Sequence, residues 1–107
     1  MNTNEQISRV EADLDELENL LKKQMELVRR GNTSDVEILG EQASFLVEKI
    51  TQTGLLESVE FKNQRERLAR SYEALCLAIT AQKAGTFEEL KQVRKGKRTI
   101  KAYRSNI

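Results

Sequence analysis

Apolar side chains recur in alternating steps of three and four along this chain, and no proline interrupts them anywhere in its 107 residues. That spacing follows the 3.6-residue period of a helix and not the two-residue period of a strand, so it confines the chain to helices that each bury one stripe. Ile7, Val10, Leu14, Leu17, Leu21 and Val28 make the first stripe, with Gln24 interrupting the seam and Met25 beside it. Thr3 with Gln6 reads as the opening cap of this helix, and Gly31, which tolerates a left-handed conformation, as its end. With a rise of about 1.5 Å per residue the helix is on the order of 40 Å long.

Ser34-Asp35-Val36-Glu37 is a second capping box, with acids at the positive end of the helix dipole. The stripe Val36, Leu39, Ala43, Leu46, Val47 and Ile50 follows and ends near Thr53-Gly54. So few residues separate the two helices that they must fold back as an antiparallel hairpin. A long third helix is predicted from about Leu56 to Lys83, with Phe61, Leu68, Tyr72, Leu75 and Ile79 on one face and Arg65, Glu66, Arg67 and Glu73 largely outside. Thr86-Phe87-Glu88-Glu89 opens a short basic final helix in which Leu90, Val93, Ile100 and Tyr103 share a side with Gly96. The predicted fold is therefore all-α: one domain over residues 1–107, an elongated bundle of three to four helices. Gly40, inside the second helix, reads as a point of close approach by a neighbour.

Charge divides the chain. Residues 1–60 hold 13 acidic and 6 basic side chains, a net of −7, whereas residues 61–107 hold 4 acidic and 12 basic, a net of +8. The simplest use of that division is an acidic hairpin packed against basic partners in the same molecule. From Lys91 to Ile107 there are seven basic side chains and no acid, which with Gly96 makes a solitary helix marginal. Residues 91–107 are accordingly expected to form a mobile basic arm that orders on an acidic receiver.

Most chemistries are set aside by what is missing. Without histidine there is no Ser-His or Cys-His nucleophile pair and no Glu-x-x-His ligand set, and a single cysteine gives zinc too few ligands. The glycines never cluster into a phosphate loop, and the carboxylate row Glu11, Asp15 and Glu18 is best read as a solvated face. Cys76 sits in the apolar run Ala74–Ile79 and reads as core. The expectation is a protein that is not an enzyme, binds no metal, cofactor or small-molecule substrate, and does not insert in a membrane, since no apolar run nears the roughly 18 residues a span requires. The start shows no secretory signal pattern, so a cytoplasmic location is expected. Nucleic acid is a weaker fit than protein, because the first half is acidic and no helix-turn-helix or finger spacing is present.

The segment Leu20 to Ile50, LLKKQMELVRRGNTSDVEILGEQASFLVEKI, and the closing Lys95 to Asn106, KGKRTIKAYRSN, resemble the flagellar export chaperones of the FlgN and FliT type, small cytoplasmic helical proteins. The resemblance implies binding of the terminal helices of hook-associated, filament or cap subunits before type III export, with the export apparatus as a second partner. An amphipathic client helix would need a long apolar groove with anchors at i, i+3, i+4 and i+7. The expected client-binding residues are Phe61, Leu68, Tyr72, Leu75 and Ile79. The second-partner residues on the arm are expected to be Val93, Lys97, Arg98, Ile100, Lys101, Tyr103 and Arg104. Apolar stripe left uncovered by so thin a hairpin points to a homodimer or a client-bound heterodimer. The alternative functions are a coiled-coil or bundle subunit of a larger assembly and, behind it, a nucleic-acid-binding regulator.

Overall fold

Each apolar stripe becomes the inner face of a helix. In the computed structural model, which describes residues 3–82 and 87–104, the helices are α1 (Thr3–Arg29), α2 (Thr33–Gln52), α3 (Lys62–Gln82) and α4 (Phe87–Arg104). Short 3₁₀ turns at Leu55–Glu57 and Val59–Phe61 join α2 to α3.

The α1–α2 turn is held by backbone bonds at Gly31. With φ +74°, Gly31 donates to the carbonyl of Val28 at 3.0 Å while Asn32 donates to Leu27 at 3.0 Å, the double bond of a Schellman motif. The second helix starts slightly earlier than predicted, because Asn32 and not Ser34 is the cap. The Asn32 side chain accepts from the Asp35 backbone N–H at 3.2 Å and donates to the Asp35 carboxylate at 2.8 Å. Thr86, the predicted cap of the last helix, lies outside the described residues.

Two hairpins stack to make the bundle. Helix α1 packs on α2 and α3, and α4 packs on α3 and α2, so α1 and α4 face each other across a diagonal, as do α2 and α3. The connection from α2 to α3 must therefore cross that diagonal under the bundle. This crossing explains why α3 begins at Lys62 and not at Leu56: Gly54 turns left-handed (φ +71°), and Ser58 takes an extended conformation that breaks the helix. Leu56 and Phe61, both fully buried, seal the floor. The result is a rod of 44 × 24 × 19 Å.

Arg65 lies inside the floor and not outside it as the periodicity suggested. Its side chain is 0% exposed, and Nη1 donates to the carbonyl oxygens of Leu56 and of Ser58, the latter at 2.6 Å. The Ser58 carbonyl also accepts from the Phe61 backbone N–H at 3.1 Å, so the guanidinium ties the two turns together at a point where the helix is broken. Desolvation lowers the Arg65 pKa, an effect that Glu66 and Glu57 oppose.

The fourth helix corrects the expectation of a mobile arm, for residues 91–104 belong to a helix packed on α3 and α2. Val93 and Ile100 are buried, and Leu90 and Tyr103 lean on the same core. Gly96, which a solitary helix would only find costly, is what lets α4 approach: a Cβ there would lie 2.6 Å from the Tyr72 ring. That ring is buried in the core cluster, so moving it aside would disturb its packing. Gly96→Ala should thus lower stability by roughly 1–3 kcal/mol, against the gain of about 1 kcal/mol that Gly→Ala ordinarily gives in a helix. Thermal melts will check the sign, and in a Tyr72→Leu background the same Ala should become neutral or stabilising.

Candidate protein-docking surface

The five residues expected to form an open client groove are interior. Phe61, Leu68 and Leu75 are 0% exposed, and Tyr72 and Ile79 are 3% exposed, because α4 and α1 cover the face of α3 that carries them. Burial pushes the Tyr72 phenol above its ordinary pKa and Cys76 adds to the shift, the behaviour of a ring closed off from water. Burial likewise pushes the Cys76 thiol up, only partly opposed by Lys97 and Arg94, so this sulfur packs and is a poor nucleophile. Of the arm residues, Val93 and Ile100 are core, Lys97, Lys101 and Tyr103 are half-buried, and Arg98 is exposed. Arg104 closes α4.

Apolar surface remains elsewhere, on α2. Its core stripe takes Val36, Ala43, Leu46, Val47 and Ile50 inward, which leaves Ile38 and Phe45, seven residues apart and thus on one side of the helix, at 54% and 67% exposure. Beside Phe45 a shallow groove of about 450 Å³ runs between α1 and α2, lined also by Glu16, Glu41, Gln42, Leu46 and Lys49. Gln24, buried on α1, donates Nε2 to the Val36 carbonyl at 3.1 Å, and Gly40 leaves room for that side chain and for Gln92. Lys49 is held to Asp13 across the hairpin at 3.4 Å. The sequence carried a signal for this surface, since α2 has more large apolar residues than one stripe can hold.

The charge division is only sparsely used inside the molecule. Arg67 of α3 meets Glu18 of α1 at 3.0 Å and joins the halves, whereas Lys101 pairs with Glu73 within α3/α4 at 3.8 Å and Arg30 with Glu26 within α1 at 3.2 Å. Among the described residues Asp15, Glu16, Glu37 and Glu41 on the α1/α2 side have no basic partner within 4 Å, and Lys91, Arg94, Lys97 and Arg98 on α4 have no acidic one. The four cations border an open cavity of about 320 Å³. Glu18, one of the three carboxylates in the row on α1, is taken by Arg67, and no cluster among the described residues could hold a metal ion. Nor is any described helix long and apolar enough to cross a membrane.

No family model, curated protein or solved structure matches the chain.

Proposed function

We propose that this chain is a cytoplasmic chaperone that binds an amphipathic helix of a flagellar export client. The observation that carries the reading is the exposed pair Ile38 and Phe45 on one side of α2, with Phe45 lining the α1/α2 groove. A helix laid along α2 would place anchors at i, i+3 or i+4 and i+7 against these two side chains, and basic residues on its flanks would meet Glu16 and Glu41. The α2 wall of the groove, Glu41 to Lys49, falls within residues 20–50, the segment whose sequence resembles that family. An unassembled subunit with a bare apolar helix is prone to aggregate, and covering that helix is the service such a groove can render.

Titration of the purified chain with peptides from the terminal helices of hook-associated, filament and cap subunits tests the reading. Phe45→Glu should weaken capture at least about tenfold, the loss of one buried aromatic anchor, with the circular dichroism spectrum unchanged. Equal affinity of wild type and variant would overturn the placement of the site. Failure of every peptide to bind would overturn the chaperone reading itself.

A further inference from the structure

Opposite sides of the bundle carry opposite charge, each with an apolar residue at its centre. The α1/α2 face presents Phe45 beside Glu16 and Glu41. On the far side, α4 presents Lys91, Arg94, Lys97 and Arg98 around an open cavity, and α3 presents Leu77, 66% exposed. Tyr72 against Gly96 and Glu73 against Lys101 set α3 and α4 antiparallel in a register that brings Leu77 level with the Arg94–Lys97 turn. Both sets of charges lack partners among the described residues, so neither is consumed in folding.

We propose that the occupant of the basic α3/α4 face is a second copy of this chain, docked through its acidic α1/α2 face. Three features favour a copy over other anions. An acidic surface with a protruding aromatic is present in the molecule itself, and it matches a cationic surface with an apolar centre, where contact of either kind alone would leave the other unsatisfied. The apolar stripe of α4 is spent on the core, with Val93 and Ile100 buried, so this helix has no apolar face to lay into a lipid surface. Tyr103 of α4 is half-buried and offers little platform for stacked bases.

Because the two faces lie on opposite sides, the contact is head-to-tail: each bound copy presents a fresh basic or acidic face, and a pair cannot close with both faces engaged. Two helices about 30 Å long offer on the order of 600 Å² per partner, toward the lower end of specific interfaces, which fits micromolar association. The contact needs no client, although it occupies the groove a client would use. A client helix and a second copy therefore compete.

Sedimentation velocity of the full chain over a micromolar concentration series tests this. At low salt the sedimentation coefficient should rise with concentration past that of a dimer, and at about 0.5 M salt, where the Debye length is only a few Å, it should return to that of the monomer. The pair Arg94→Gln/Arg98→Gln disables one face, and Glu41→Gln/Phe45→Gln disables the other. All four positions are exposed, so the fold should survive. Each variant alone should stay monomeric, while an equimolar mixture should form a 1:1 dimer and nothing larger. A wild type that is monomeric at low salt, growth that salt does not reverse, growth that stops at a dimer, or a mixture that fails to pair would overturn the proposal. Capture of an oligonucleotide by a chain that does not self-associate would overturn it too and assign the basic face to nucleic acid. The monomeric Arg94→Gln/Arg98→Gln protein keeps the α1/α2 groove, so client titration on it judges the chaperone reading separately.

Discussion

Leu68→Asp is expected to unfold the protein. Leu68 is 0% exposed near the middle of the core, and its replacement removes an apolar side chain whose burial contributes about 2 kcal/mol and puts a carboxylate in its place. Among the described residues the buried basic group is Arg65, one turn earlier, and it is committed to the carbonyls of Leu56 and Ser58. An unpaired buried charge costs several kcal/mol more, so the total approaches the roughly 5–15 kcal/mol that holds a domain of this size together. The check is far-ultraviolet circular dichroism with urea titration at neutral pH, set beside Phe45→Glu. The Phe45 variant should unfold cooperatively near the wild-type midpoint, whereas the Leu68 variant should show little helix even without denaturant. A Leu68→Asp protein that keeps its full helical signal would return the client site to α3 and require the bundle to open for its client.

That contrast marks the limit of what periodicity reveals. Which residues share a helical face is a local property, and so the stripes of α1 and α2, the left-handed Gly31 and the inward row Val93, Gly96 and Ile100 could be read from spacing alone. Which face is covered depends on neighbours distant in sequence. The stripe of α3 looks like an open groove until α4 lies on it, and α4, with its charge and Gly96, looks marginal as a solitary helix until the Tyr72 ring fills the space at Gly96. Ile38 and Phe45 are visible as apolar residues, but only the bundle shows that nothing covers them. Ser58 is harder still. Nothing in the segment Leu56–Lys62 forbids a helix locally, and the break exists because the chain must cross a diagonal that the sequence does not display.

Arg65→Ala should cost about 3 kcal/mol or more, a loss far above the typical surface substitution, even though no carboxylate among the described residues pairs with this arginine. The guanidinium joins the two 3₁₀ turns to the first turns of α3 through the Leu56 and Ser58 carbonyls, and in the Ala variant both would lose this charged donor, the Ser58 carbonyl keeping only its bond from the Phe61 backbone N–H. The space vacated by the side chain adds a cavity beneath Leu56 and Phe61. Against this stands the strain of keeping a cation dry, since Nε and Nη2 find no hydrogen-bond acceptor among the described residues and burial already lowers the pKa of the group. Arg65→Met separates these contributions, for it fills much of the volume, relieves the buried charge and forfeits only the two hydrogen bonds. It should fall well short of the Ala loss, at roughly 1–2 kcal/mol. Urea midpoints rank the variants, and amide exchange locates the effect: in Arg65→Ala the amides of residues 55–61 should exchange faster while those of the α1–α2 turn keep their protection. If Ala and wild type unfold within about 0.5 kcal/mol of each other, the guanidinium faces water and the diagonal crossing is held by Leu56 and Phe61 alone.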